Sequence, residues 1–234
     1  MSNLLHFIHG GGVVMYPLLA LSLATVVVIV ERLIAFRQYG GTAPGLLDSV
    51  LLLSRQGRYD DALEACRGRR GPLAACLAVV LEHRQQPVRE IERLVEETGQ
   101  DYFIRLEQML PALDTTATIS PLLGLLGTIA GMIGAFNAIA LQTHHGNTDS
   151  VLSGVGEALY ATATGLIIAV ICFAAYNYFT ARYRTITAQT EQAATKLINV
   201  LVERHHEARA GHGRDNHVAQ SAGEEEGHAV QTAT

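Results

Sequence analysis

Gly154–Gly165 reads G-V-G-E-A-L-Y-A-T-A-T-G, and its fourth residue, Glu157, is the one charge inside a long apolar run. Between Arg105 and Arg182 there is no Lys or Arg; the acids there are Glu107 and Asp114 before the run, Asp149 in a short polar break, and Glu157. An ionisable side chain at membrane depth costs roughly 2.5–3.5 kcal/mol on insertion scales, so it reads by default as functional. Whether Glu157 lies that deep depends on the sequence around it.

Thr116–Leu141 is a spanning run of about 25 residues whose only polar members are Thr116, Thr118, Ser120, Thr128 and Asn137. Its glycines, Gly124, Gly127, Gly131 and Gly134, step by 3, 4 and 3, which puts them on one stripe of a helix that Ala138 extends. Such a stripe lets another helix approach at backbone distance. Thr128 stands at its edge. Gln142–Ser150 then forms a polar break without a cation, with Asp149 or Ser150 as N-cap of the next helix.

The following span runs over Val151–Phe179. From a start at Ser150, Glu157 lies seven residues inside, about 10 Å along the axis and past the first turn. Ala158, Ala161, Gly165 and Ala169 make a second small-residue stripe, the complement expected for packing on the first. Thr162 lies five residues beyond Glu157, about 140° round the helix, so one lumen touches both only if it is lined broadly.

Another span precedes these. Val13–Val30 is about 18 nearly uninterrupted apolar residues, roughly 27 Å as a helix, with Pro17 in its first turn and Glu31-Arg32 at its end. Gly10-Gly11-Gly12 separates it from a short apolar patch with no basic start of the kind a secretory signal needs. From Phe36 to about Leu110 the chain is soluble in character and rich in Arg, with helical periodicity over Leu46–Ser54, from Tyr59, and over Leu73–Leu81, punctuated by Gly57, Gly68, Gly71, Pro72 and Pro87. A fourth helix starts at Pro87 and runs through Leu113 toward the membrane. Beyond Arg182 an amphipathic helix extends to about His206, carrying Ile186, Ala193, Ala194, Leu197, Val200 and Leu201 on its apolar side; the tail after it has the composition of a disordered segment.

Composition agrees with a polytopic membrane protein. The 234 residues are 49% hydrophobic and 17% charged, with a mean hydropathy of +0.21. The net charge of -5 hides an uneven distribution: all 17 Lys and Arg lie in Arg32–Arg105 and Arg182–Arg214. By the positive-inside rule, the amino terminus and the His144-His145 turn are external, and the large loop and tail cytoplasmic. The expected organisation is an external segment 1–12, transmembrane helix 13–34, cytoplasmic helical loop 35–115, transmembrane helix 116–141, external turn 142–150, transmembrane helix 151–179, cytoplasmic helix 180–206 and disordered tail 207–234. The fold class is all-α, with three transmembrane helices and long helices extending into the cytoplasm. No basic stripe interleaved with aromatics supports nucleic-acid binding. Cys66, Cys76 and Cys172 show neither metal spacing nor a disulfide framework and read as reduced and structural. The chain lacks a phosphate loop, a nucleophile elbow and a zinc motif, so neither cofactor nor enzymatic chemistry is expected.

With these residues in view, the chain resembles the MotA/TolQ/ExbB proton channel family, in its ExbB/TolQ branch. The resemblance is carried by S-P-L-L-G-L-L-G-T-I-A-G-M-I-G-A-F (Ser120–Phe136), G-V-G-E-A-L-Y-A-T-A-T-G-L (Gly154–Leu166) and A-Y-N-Y-F (Ala175–Phe179), with a weaker G-G-G-V-V-M-Y-P-L-L-A-L-S…E-R-L (Gly10–Leu33). It implies an inner-membrane ring of such subunits, a pentamer, enclosing single-span partners of the ExbD/TolR type and driving a TonB/TolA-like transducer in the lipid bilayer. It also implies that Glu157, Thr128 and Thr162 line the ion pathway, and that Gly124, Gly127, Gly131, Gly134, Ala161 and Gly165 pack the helices. Ile171 departs from the pattern, standing where many relatives have proline. Four-span MotA fits less well, and ExbB and TolQ are not separated.

Plainer readings compete. Glu157 could be an interfacial acid favoured by a helix dipole, and a membrane threonine often bonds a carbonyl of its own helix. His144-His145 lacks a third ligand and reads as solvated. The leading functional expectation is a subunit that couples the proton motive force to movement of partners. Its rival is a non-conducting scaffold that uses the small-residue stripes to gather partner helices. A membrane enzyme is disfavoured because no paired acid or nucleophile lies near Glu157.

Overall fold

The structure, a computed structural model, describes residues 12–39, 45–141 and 148–231. Among them are seven helices and no strand: α1 (Met15–Tyr39), α2 (Leu46–Arg55), α3 (Tyr59–Arg67), α4 (Pro72–Glu82), α5 (Val88–Glu107), α6 (Leu110–Leu141) and α7 (Thr148–Gln231). Three helical stretches, in α1, α6 and α7, are long and apolar enough to cross a membrane. The protein is thus all-α with three transmembrane helices, as its hydropathy predicts. The chain divides into two compact units, one built from residues 1–40 and 103–185, the other from 41–102 and 186–234.

The membrane unit is held by its hairpin of α6 and α7. Lipid gives helices no hydrophobic reason to associate, so close packing and hydrogen bonds must do it. Glycines permit the approach. A Cβ placed on Gly165 would sit 2.5 Å from the Ser120 carbonyl oxygen, and one on Gly124 would sit 3.0 Å from the Thr162 Cα. A Cβ on Gly127 would meet the Ala161 Cβ at 2.5 Å, and one on Gly131 the Gly154 oxygen at 2.9 Å and the Ala158 Cβ at 3.0 Å. The contacts step down α7 as they climb α6, so the two stripes mesh antiparallel. Gly134 differs: a Cβ there would meet nothing within 4 Å, although sequence spacing puts it on the same stripe. The stripe drifts round the helix as it rises, and Ala135, 4% exposed, takes the next contact, against Gly154.

Helix α1 lies on this hairpin through Leu18, which packs with Ala161, Ile168 and Cys172, with Val14, Ala117 and Leu123 around them. The Thr25 hydroxyl donates to its own Leu21 carbonyl and lies 3.3 Å from the Cys172 sulfur. Further along, Phe36 stacks on Phe179 with centroids 5.3 Å apart.

The first helix continues past Glu31-Arg32, where its apolar run ends, to Tyr39, with Arg32 only 3% exposed. The Arg32 guanidinium donates to the carbonyls of Arg105 and Leu106 at 2.9 and 3.0 Å and pairs with Glu31 at 2.6 Å. A buried cation is tolerable when its donors are used, and here they satisfy the orphan carbonyls at the end of α5. The helix from Pro87 does not run unbroken to Leu113: α5 stops at Glu107 and α6 begins at Leu110. Pro111 explains the break, because it has no N–H for the Glu107 carbonyl and its ring crowds that turn.

The other unit gathers Leu46 and Val50 of α2, Ala62 and Cys66 of α3, Ala74, Leu77, Val80 and Leu81 of α4, and Ile91 of α5 around Ala193, Ala194, Leu197, Ile198 and Leu201 of α7. The apolar side expected of the helix after Arg182 is this buried face. Between α2 and α3 the chain reverses at Gly57, with φ +79°, a conformation a side chain would strain. Beside it Arg204 donates to the Arg55 carbonyl at 2.8 Å, closing the end of α2. The backbone of α7 remains helical to Gln231, beyond the point where composition predicts disorder. A tail too polar to bury a core can still be helical, since the propensities of Ala, Glu, Gln and Arg do not depend on burial.

Cys66 and Cys76 are buried in this unit, and burial raises both thiols from 9.0 to about 11; at Cys66 the nearby Arg69 opposes the rise. At neutral pH this leaves about a hundredfold less thiolate than in an open chain. The stability that these neutral thiols contribute is complete below pH 9.0 and declines as pH climbs through about 11. Iodoacetamide should therefore label both at pH 7.5 at least a hundredfold more slowly in the folded protein than in denaturant; equal rates would contradict their burial. The hairpin yields a second expectation. Gly165→Ala should lower stability by about 1–3 kcal/mol, the usual cost of overpacking, while Gly134→Ala should be neutral or mildly stabilising. Thermal unfolding in detergent micelles distinguishes the two.

Candidate functional site

Glu157 stands nine residues after the start of α7 at Thr148, about 13 Å along the axis. It is half-buried, beside Ala158, which is 3% exposed. No Lys or Arg lies between Arg105 and Arg182, so neither α6 nor this part of α7 supplies a cation to neutralise it. Its carboxyl rests against Gly12, immediately before α1: a Cβ built on Gly12 would fall on the Glu157 Oε1. The Gly12 carbonyl accepts from the Met15 N–H at 3.1 Å, so the acid lies by the first turn of α1, where the helix dipole favours negative charge.

The two threonines expected to accompany the acid are placed differently. The Thr162 hydroxyl crosses the hairpin and donates to the Gly124 carbonyl at 3.0 Å, between the close contacts of Gly127 with Ala161 and of Gly165 with Ser120. The Thr128 hydroxyl turns back to its own helix and donates to the Leu125 carbonyl at 2.6 Å. The structure therefore gathers Thr162, Gly124, Gly127, Gly131, Ala161 and Gly165 into one seam, with Gly134 outside it and Thr128 at its margin. Among the described residues no three of His, Cys, Asp and Glu converge as a metal site. His144-His145 and the rest of the turn over 142–147 lie outside the described residues.

Sequence reasoning missed Gly12. The run Gly10-Gly11-Gly12 reads as a separator before the first span, yet a glycine at a helix entrance also signals that something approaches the backbone closely. It also missed Ser120, whose carbonyl meets Gly165 and whose hydroxyl donates to the Thr116 carbonyl at 2.6 Å. Nothing in the spacing of α6 alone marks that residue as the partner of Gly165.

The arrangement sets one carboxyl, that of Glu157, among small residues in a stretch without Lys or Arg. Comparison with known proteins identifies the family. The model of the MotA/TolQ/ExbB proton channel family matches residues 69–192, just over half of the chain. A biopolymer transport protein of the ExbB-like type from Synechocystis sp. is 30% identical over 198 residues, covering 84% of this chain and 94% of that protein. The biopolymer transport protein exbB1 of Vibrio cholerae is 30% identical over 162 residues, 68% of this chain and 71% of its own length. The Tol-Pal system protein TolQ of Pseudomonas aeruginosa is 34% identical over 102 residues, 44% of each chain. With the three spans and the paired small-residue stripes, these matches establish that the chain belongs to the MotA/TolQ/ExbB proton channel family.

Proposed function

We propose that this protein is an inner-membrane proton-channel subunit that couples the proton motive force to mechanical work of partner proteins, in the manner of an ExbB/TolQ energy transducer. It acts as one copy in a homo-oligomeric ring, a pentamer by family resemblance, around an ExbD/TolR-like single-span protein, and drives a TonB/TolA-like transducer. The concentration of Lys and Arg in Arg32–Arg105 and Arg182–Arg214 supports an external, periplasmic amino terminus with the large loop and carboxyl terminus in the cytoplasm. One observation carries the reading: Glu157 is the only charge between Asp149 and Arg182, half-buried well inside α7. A proton crossing the membrane releases about 2.3 kcal/mol per 100 mV, and a carboxyl that alternately takes and gives up that proton can gate the release. Thr128 and Thr162 belong to the same pathway in this reading, Thr162 by exchanging its bond to the Gly124 carbonyl for water or a partner group.

The rival scaffold reading needs the small-residue stripes to be free for partner helices. The geometry weighs against it, because Gly124, Gly127, Gly131, Gly154 and Gly165 already meet one another's helices within a single chain.

The test is proton uptake by right-side-out membrane vesicles from cells carrying each variant in place of the native chain. Glu157→Gln should reduce uptake on the order of a hundredfold or more, the scale of removing a proton-transfer group, with the complex unchanged on native gels. Undiminished uptake would overturn the proposal, and lost assembly with normal uptake per complex would favour the scaffold. Thr162→Val should slow uptake more than Thr128→Val, since it alone removes a bond across the hairpin.

A further inference from the structure

We infer that Gly12 is a positioning residue for the Glu157 carboxyl, and that the backbone entering α1 sets where the acid points. The inference rests on the reading of Glu157 as the proton-binding group and extends it to a residue outside the hairpin. Three observations converge. Gly12 holds φ +65°, a left-handed conformation that favours glycine, and its carbonyl accepts from Met15 to open α1. The space its missing side chain would fill is occupied by the Glu157 carboxyl, both oxygen Oε1 and the carboxyl carbon. The segment is also fixed in place: Val14 packs beside Ala161 and within reach of Gly127, and Met15 and Leu18 are fully buried. The entrance of α1 is thus seated on the hairpin, and Gly12 presents bare backbone to the acid at the one place where a side chain would expel it.

Any side chain at position 12 therefore displaces the carboxyl, whereas shortening the acid by one methylene makes room again. In the same vesicles, Gly12→Ala should lower proton uptake about tenfold or more, as misplacement of a reacting group by about 1 Å does. Glu157→Asp alone should also fall below the native chain, having withdrawn from the glycine. The double variant Gly12→Ala/Glu157→Asp should exceed Gly12→Ala alone, a compensation that independent sites do not show. Gly12→Asn separates collision from backbone strain, because asparagine tolerates the left-handed conformation yet still carries a Cβ. It should be as impaired as Gly12→Ala. Should Gly12→Ala fail to assemble, the same pair reads out in assembled complex: Glu157→Asp restores it if the defect is collision.

Native uptake in Gly12→Ala, a double variant no better than Gly12→Ala in uptake or assembly, or recovery with Gly12→Asn would each overturn the inference. These outcomes are distinct from failure of the proton reading. That reading falls if Glu157→Gln conducts normally, while normal Gly12→Ala beside an inactive Glu157→Gln removes only the role of Gly12.

Discussion

Contact at backbone distance between α6 and α7 is the constraint on which the membrane unit depends. In lipid, a leucine gains nothing by leaving tails for another leucine, so two helices stay together only if they fit closely and bond across the join. Five glycines remove the side chains that would keep the axes apart, and the Thr162 hydroxyl adds a bond to a Gly124 carbonyl whose second lone pair is available for it. The large residues are left outside: Leu122, Leu126, Ile129 and Phe136 on α6, and Leu159, Leu166 and Ile167 on α7, are all more than half exposed in the single chain. Lipid or further copies of the chain must cover them. The hairpin thus meets itself through its small residues and leaves its large ones facing outward.

Much of this was legible in the residues. The spans are visible because about 20 apolar residues in succession have few uses other than crossing a bilayer, and the stripes are visible because a 3.6-residue period converts spacing into direction. The acid stands out because everything near it is neutral. What stayed hidden depends on partners distant in sequence. Arg32 reads as the charged end of a span, yet it lies buried because the carbonyls of Arg105 and Leu106, more than 70 positions away, accept its donors. Gly134 obeys the spacing of its stripe but faces open space, since a helix of 3.6 residues per turn drifts off a fixed line and the next contact passes to Ala135. The break before α6 was within reach of the sequence: Pro111 removes a donor wherever it stands, and only the strong apolar periodicity on either side concealed it.

The two buried or bridging arginines show a common device. Arg32 closes the end of α5 and Arg204 the end of α2, each by donating to carbonyls that the helix cannot satisfy itself. Arginine suits both places because its planar fork stays charged and offers several donors in fixed directions. At Arg32 the bonds fall where one helix must stop and another begin, just as Pro111 denies the backbone its own continuation. The break thus joins the donor that Pro111 lacks to the two bonds that Arg32 makes with the last carbonyls of α5.

The position of Glu157 sets two magnitudes against each other. The acid gains from the first turn of α1, but such a dipole contributes about 0.3–1 kcal/mol, up to about 2 kcal/mol where the geometry is partly buried. At the centre of a membrane helix an acid costs roughly 2.5–3.5 kcal/mol, whereas this carboxyl rests beside Gly12 at the entrance of α1. The side chain that is present is the one that can lose and regain a proton. That property is the one on which the proposed function rests.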